Sequence, residues 1–147
     1  DNEVYNDTLA NSNNIKANDY KTSDIRTFLN NSFLNKAFSL GSSHLRAKEV
    51  VPGESDKVYL PSKEDLTNND YGFMSDSDRA AKTTDYARVR GSWANKDTYK
   101  NNGAYWTRTA SEKYNYTVYV STTSGFISEY AVNSGSNSVR PCITVKL

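Results

Sequence analysis

Two residue types that often take part in catalysis occur once each in this chain: His44 is its histidine and Cys142 its cysteine. A histidine that activates a nucleophile needs an acid and that nucleophile beside it, and the residues around His44 do not supply them. We expect His44 to be a surface or capping residue of a Ser-rich turn. A lone cysteine forms no internal disulfide and no cysteine-based metal cluster, so thiol chemistry is not predicted for Cys142.

The carboxylates do not form a recognisable catalytic or metal-binding pattern. A paired-carboxylate glycosidase site is not indicated by the spacing of Glu54, Glu64, Glu112 and Glu129. Oxygen ligands for a hard cation such as Ca²⁺ are available from Asp70, Asp76, Ser77, Asp78 and Asp85. Because no glycine-ordered metal loop follows them, a solvated acidic loop is the favoured interpretation. The sequence therefore predicts no catalytic residue, no bound metal and no cofactor.

Two arginines on apolar-rich, strand-like segments allow two interpretations. The guanidinium of Arg108 or Arg140 offers the planar pair of donors that recognises an anion. Alternatively, each arginine is a buried fork that ties strands to loop carbonyls or to a carboxylate such as Glu129 or Asp85. The structural role is favoured for both arginines. Trp106 belongs to the same strand as Arg108 and is predicted to be a core residue.

A set of aromatic and amide side chains in loops is the best candidate for a binding surface. Tyrosine and tryptophan offer large rigid contacts, while asparagine and serine adapt their hydrogen bonds. Loops 88–104 and 110–116 carry most of the set, and the tips at 121–125 and 133–138 complete it. The predicted ligand-binding residues are Trp93, Tyr99, Tyr105, Tyr114, Asn115, Tyr116, Asn133 and Asn137. The alternative is that these side chains merely coat a secreted domain.

Composition limits the classes of protein further. A chain of 147 residues is the size of one domain. Its net charge of +1 and the absence of a basic stripe argue against binding nucleic acid through phosphates. No segment approaches the ~18 consecutive apolar residues of a membrane span. The 17 Asn, 18 Ser and 13 Thr residues favour an extracellular or cell-surface location and a glycan or protein ligand.

The helices are predicted in the first half of the chain. Ser23 is a good N-cap, and apolar residues then recur at helical spacing from Ile25 to Phe38. The run Asn30-Asn31-Ser32 is a weak point at which this helix could divide into two. A second, short helix is predicted over Ser62–Thr67, where Ser62 and Asp65 have the spacing of a capping box.

The strands are predicted near the C-terminus. Apolar alternation and short Gly- or Asn-containing connectors indicate an antiparallel meander of residues 105–109, 116–120, 126–132 and 139–147. Early helices and late strands are typical of an α+β fold. We therefore predict two N-terminal-half helices packed on a twisted antiparallel sheet, with a long irregular region between them. Residues 1–22 are predicted to be an irregular arm and 23–147 a single domain.

Several local patterns occur in an order that resembles a bacterial family of unknown function, common in Firmicutes, with a C-type-lectin-like domain. The resemblance covers about residues 20–147. The patterns are Ser23-Asp24-Ile25-Arg26-Thr27-Phe28-Leu29-Asn30, Asp56-Lys57-Val58-Tyr59-Leu60-Pro61-Ser62, Arg79-Ala80-Ala81, Tyr105-Trp106-Thr107-Arg108-Thr109 and Ser138-Val139-Arg140-Pro141.

This resemblance implies a C-type-lectin-like fold and a non-enzymatic ligand-binding module of a bacterial cell-surface or secreted protein. It also implies that an N-terminal strand is missing, which would leave the edge of the C-terminal strand open to another chain or domain. Alternatives are a diversified receptor-binding protein of phage or bacterium, a structural spacer, or a formylglycine-generating-like enzyme. The lone Cys142 argues against the last, because that chemistry needs paired cysteines.

Overall fold

The computed structural model describes residues 4–7, 16–114 and 116–146 and is mixed α+β, with short helices and several small antiparallel sheets. The helical elements are 3₁₀ turns at Tyr20–Thr22, Ser42–His44, Asp65–Thr67 and Asn69–Tyr71, a π turn at Leu29–Phe33, and α1 (Asp24–Phe28), α2 (Leu34–Ala37), α3 (Asp76–Arg79) and α4 (Asp85–Val89). The strands are β1 (Leu45–Arg46), β2 (Lys48–Val51), β3 (Glu54–Asp56), β4 (Val58–Tyr59), β5 (Ala81–Lys82), β6 (Asn102–Gly103), β7 (Tyr105–Ala110), β8 (Thr117–Ser121), β9 (Ile127–Ala131) and β10 (Cys142–Val145).

The first predicted helix is present and its weak point has a defined geometry. The Ser23 side chain accepts a hydrogen bond from the amide of Arg26 at 3.2 Å, which confirms the predicted cap. The π turn at Leu29–Phe33 contains the Asn-Asn-Ser run and joins α1 directly to α2. A π turn accommodates an irregularity without ending the helix, so the segment remains one continuous rod rather than two helices.

The predicted C-terminal meander is correct for its first three strands and wrong for the fourth. Strands β7, β8 and β9 pair in that order, with Tyr105 opposite Ser121 and Thr117 opposite Ala131. Strand β10 instead lies between β1 and β4, with which it pairs antiparallel. The strand for which an open edge was expected therefore has a partner from this chain on each side. Alternation within the segment indicated a strand but could not indicate its neighbours.

The apolar face of β10 is not the face that is buried against the core. Ile143 and Val145 are 41% and 51% exposed. Cys142, on the opposite face, packs against the core. Alternation of apolar and polar residues distinguishes the two faces of a strand, but it does not show which face is buried. In this structure, the pairing of β10 with β1 and β4 places the Cys142 face against the core.

Part of the predicted N-terminal arm is built into the core. Tyr5 is fully buried, with its ring 5.8 Å from that of Trp106 and 6.3 Å from that of Tyr20. Its amide donates to the carbonyl of Val132 at 2.9 Å, and its carbonyl accepts from the amide of Ile25 at 3.2 Å. Residues 4–7 thus connect the first helix to the end of the meander.

Replacing either of two buried tyrosines of this core with phenylalanine should change the free energy of unfolding in different directions. The Tyr5 hydroxyl has no hydrogen-bond partner within the described residues, whereas the Tyr20 hydroxyl accepts from the Leu60 amide at 3.3 Å. We expect Tyr5→Phe to leave the free energy of unfolding unchanged or raise it by up to ~1 kcal/mol, because it removes an unsatisfied buried group. Tyr20→Phe should lower it by ~1–2 kcal/mol, because the Leu60 amide loses its acceptor. Urea denaturation of both variants measures this difference, and equal effects would contradict it.

Candidate functional site

The backbone on both sides of Trp93 is fixed by hydrogen bonds to other segments, while its side chain is 53% exposed. The Trp93 amide donates to the carbonyl of Ser136 at 3.0 Å, and the Asn95 amide donates to the carbonyl of Asn102 at 2.8 Å. The Asn102 side chain in turn donates to the carbonyl of Thr123 at 3.0 Å. The predicted irregular region therefore presents an exposed indole on a constrained loop, not on a free one.

A groove of about 310 Å³, which we call the Trp93 groove, lies against this indole. Its walls are Trp93, Ala104, Thr122, Thr123, Tyr130, Ser136 and Asn137. Asn137 is only 1% exposed, and its Nδ2 has no hydrogen-bond partner among the described residues. A buried amide left unpaired costs ~1–3 kcal/mol, and unpaired groups of this kind are rare in native structures. Asn137 thus contributes an unsatisfied buried donor to the wall of the groove.

A second cleft, of about 460 Å³, opens beside Trp93 and shares Trp93 and Ser136 with the Trp93 groove. Its wall carries the amide side chains of Asn95 and Asn101 and the cation of Lys96. Tyr99, which is 43% exposed, belongs to the same loop: its amide donates to Asn95 Oδ1 at 3.2 Å. Trp93 thus stands between two concave surfaces, of which the Trp93 groove is lined by uncharged groups and the second cleft also by the cations of Arg88 and Lys96.

The other predicted tyrosines lie elsewhere on the molecule. Tyr114 and Tyr116 stack on each other, with ring centroids 5.5 Å apart, in the connection from β7 to β8. The Trp93 groove includes Thr122 and Thr123 from the connection between β8 and β9. Successive connections of an antiparallel meander lie at opposite ends of the sheet, so the stacked pair is separate from Trp93.

Two further predicted residues, Asn133 and Tyr105, are not brought to the Trp93 groove either. Asn133 is exposed and follows β9 at the end of the sheet that carries the stacked tyrosines. Asn115 lies outside the described residues. Tyr105 is only 1% exposed, and its hydroxyl donates to the carbonyl of Arg79 at 2.8 Å, so it is not a surface aromatic. Sequence reasoning pointed to the tips 121–125 and 133–138 but did not single out Thr122, Thr123 and Ser136.

The two arginines have different surroundings. The Arg108 side chain is 12% exposed and donates to Asp65 Oδ2 at 2.7 Å and to the carbonyl of Leu60 at 2.6 Å. Its carboxylate partner is thus Asp65 and not Glu129 or Asp85. Arg140 is exposed and pairs with no carboxylate among the residues that the structure describes. Trp106 is fully buried in the core cluster.

The acidic residues of the 70–85 region take part in local structure. The Asp78 carboxylate accepts hydrogen bonds from the Ser75 hydroxyl and from the amides of Ser75 and Met74. These bonds lower the pKa of Asp78, with the largest contribution from the Ser75 side chain. Asp76 pairs with Arg79. Within residues 4–7, 16–114 and 116–146, no three His, Cys, Asp or Glu side chains group as metal ligands would.

The two residues considered for catalysis stand apart from the Trp93 groove. His44 is exposed, and its carbonyl accepts a hydrogen bond from the Lys146 amide at 2.9 Å. Cys142 is partly buried, and this burial raises the pKa of its thiol, which favours the protonated, less nucleophilic form. Neither residue lines the groove at Trp93.

These observations define a small α+β domain that presents an aromatic and amide-lined groove. The chain belongs to the family described as "Domain of unknown function (DUF6273)", whose model matches residues 2–147. Comparison with curated proteins gave no match. Comparison with solved structures also gave none. In the described part of the chain, no helix is both long and apolar enough to cross a bilayer.

Proposed function

We propose that this domain is a non-enzymatic carbohydrate-binding module that holds its ligand in the Trp93 groove. One observation carries the proposal: the half-exposed indole of Trp93 lines the same groove as the buried Asn137 amide, whose Nδ2 has no hydrogen-bond partner in the part of the chain that the structure describes. A sugar ring offers an apolar CH face to the indole and hydroxyl groups to the amide. The two chemical needs of the groove are therefore met by one class of ligand.

The size and polarity of the groove favour a sugar over a protein partner. Its volume of about 310 Å³ is at the lower end of the roughly 300–1,000 Å³ of small-molecule pockets. A stable protein partner would need roughly 800 Å² of surface on each side. The walls contain the hydroxyls of Thr122, Thr123 and Ser136 and no carboxylate or cation, which suits a neutral ligand.

The wider setting is part of the same proposal. We infer a C-type-lectin-like fold and a location at the surface of, or secreted from, a bacterial cell. Three features support this inference: the helices precede the meander, a long region with only short elements separates them, and the surface is rich in asparagine, serine and tyrosine. A loop-borne binding groove on a rigid scaffold is a common arrangement for recognition.

Replacing Trp93 tests this function. In a glycan-array screen followed by calorimetric titration with a glycan that binds, we expect Trp93→Ala to weaken binding by about 2 kcal/mol, roughly 30-fold. Asn137→Asp, which keeps the shape but replaces the donor with an acceptor, should also weaken it. Tyr114→Ala is the matched control, because this aromatic, which is 41% exposed, lies at the other end of the sheet.

The outcome separates the alternatives. Glycan binding that survives Trp93→Ala but is lost in Tyr114→Ala would show that the stacked tyrosines form the binding site, and it would contradict the proposal. The absence of a ligand in the glycan screen would also contradict it and would favour a spacer. Circular dichroism of each variant confirms that the fold is intact.

A further inference from the structure

Two more clefts meet at Arg140, away from the Trp93 groove. The first, of about 480 Å³, lies between the 80–84 segment and residues 138–141; we call it the Arg140 cleft. The second, of about 550 Å³, has a largely apolar wall and is here called the apolar cleft. Arg140 and Pro141 line both clefts. The guanidinium therefore belongs to the wall that the two spaces share.

Arg140 is held in position but keeps unused hydrogen-bond donors. Its guanidinium carbon lies 5.1 Å from the centre of the Tyr105 ring, and Nη1 donates to the Tyr105 hydroxyl at 3.2 Å and to the Arg79 carbonyl at 3.4 Å. Its Nε and Nη2 make no hydrogen bond to any residue that the structure describes. A fork with donors to spare is suited to a carboxylate, which it binds through paired hydrogen bonds.

The charges around this fork favour an anion. Lys82 lines the Arg140 cleft, and Lys48 lines the apolar cleft. The single carboxylate in the described walls is Asp65, which already accepts from Arg108 at 2.7 Å and from the Ser62 amide at 2.8 Å. An anion that enters beside Arg140 thus meets unneutralised positive charge.

The apolar cleft adds a second requirement for the ligand, which is an apolar group. Tyr71 and Ile143, at 59% and 41% exposed, lie in its wall with Phe73 and with Leu66, which is 2% exposed. Apolar side chains gathered in one exposed concave surface mark binding sites more often than chance. A ligand that fills both clefts therefore combines an anionic group with an apolar body.

We propose that these two clefts bind the C-terminal end of a peptide whose last residues are apolar. The α-carboxylate binds Arg140, and the adjoining side chains occupy the apolar cleft. A uronic acid has the carboxylate but not the apolar body, so it satisfies only the Arg140 cleft. This site is independent of the Trp93 groove and of the carbohydrate proposed there.

The experiment compares acetyl-Gly-Phe-Leu as the free acid with the same peptide amidated at its C-terminus, by NMR titration of the full chain. We expect the acid to bind at least tenfold more tightly than the amide and to shift the amide signals of residues 82–84, 138–140, 142 and 143. Sodium glucuronate should bind at least tenfold more weakly than the acid. Equal binding of acid and amide, no binding of the acid, or equal binding of glucuronate would each overturn the proposal.

Variants assign the two halves of the site. Arg140→Gln should abolish the preference for the acid, while Arg46→Gln, which removes one charge at an exposed position of β1, should retain it. Lys82→Gln, at an exposed position, should reduce the preference, and it remains informative if Arg140→Gln does not fold. Ile143→Ser should weaken acid and amide equally. A preference for the acid that survives both Arg140→Gln and Lys82→Gln would overturn the assignment.

Discussion

Replacing Arg108 with methionine is expected to lower the free energy of unfolding by about 3 kcal/mol, the lower end of the range for breaking a buried ion pair from one side, because the Arg108 and Asp65 side chains are 12% and 22% exposed. The Arg108 guanidinium donates to the carbonyl of Val50 at 3.2 Å, to that of Leu60 at 2.6 Å and to Asp65 at 2.7 Å. It therefore ties β2, the segment after β4 and the Asp65–Thr67 turn to β7. Methionine keeps the apolar stem but removes this donor from the carbonyls of Val50 and Leu60, and it leaves the Asp65 carboxylate with the Ser62 amide as its donor.

The measurement is urea denaturation of the wild type and of Arg108→Met. Arg46→Met, at an exposed position on β1, is the control and should change stability by less than ~0.5 kcal/mol. The double variant with Asp65→Asn should be less damaging than the sum of the single changes, because the two residues form one network. A loss below ~1 kcal/mol in Arg108→Met would show that this network does not hold the strands together.

The stability loss in Arg108→Met should depend on pH, because it depends on the ionisation of the Asp65 carboxyl. Burial acts to raise the pKa of Asp65, but the hydrogen bonds from the Ser62 amide and the Arg108 guanidinium outweigh it, so the pKa lies below its usual 3.8. A depressed carboxyl pKa contributes stability above the unfolded value and loses it as the pH falls through the folded value. The stability difference between wild type and Arg108→Met should therefore narrow below about pH 4.

Gly125→Ala is expected to destabilise the domain by about 3 kcal/mol or more, through a steric clash added to a strained backbone. Gly125 lies in the β8–β9 connection with φ of +85°, and a Cβ there would be 1.6 Å from the carbonyl oxygen of Asp76. Its own carbonyl accepts from Arg79 Nε at 2.9 Å. The substitution must push this connection away from α3.

Gly53→Ala and Gly72→Ala are the matched controls. Both glycines have positive φ, of +78° and +85°, but no atom lies within 4 Å of an added Cβ. They should show only the backbone cost of ~1–2 kcal/mol. Thermal unfolding monitored by circular dichroism compares the three variants. If Gly125→Ala lowered stability no more than the controls, the close approach to Asp76 would be unimportant.

Because Thr122 and Thr123 precede Gly125, we expect Gly125→Ala also to weaken glycan binding.

Those parts of the fold that depend on local spacing could be predicted from the sequence. The Ser23 cap, the helix after it and the Ser62–Asp65 reciprocal hydrogen bonds are decided by neighbouring residues. The neighbours of β10 were not predictable in this way, because its partners β1 and β4 are short strands far from it in the chain. Two-residue strands leave almost no periodic signal.

The candidate site was only partly predictable for a similar reason. Composition drew attention to Trp93, Asn137 and the tyrosines together, but it could not show which of them meet. The meander itself contained usable information, since its successive connections must lie at opposite ends and thus separate Tyr114 and Tyr116 from Thr122 and Thr123. The burial of Asn137, on which the proposed function depends, results from distant segments packing over it.

The hydrogen bond between Tyr5 and Val132 has a consequence for how the domain is made. A ribosome synthesises Val132 127 residues after Tyr5. Until Val132 has been synthesised, the Tyr5 ring that packs on Trp106 lacks its native surroundings. Domains that depend on contacts between distant parts of the chain fold slowly, and they expose apolar surface until those contacts form. We therefore expect this domain to fold only after nearly all of it has left the ribosomal tunnel, and to depend on residues 4–7 when it is produced in isolation.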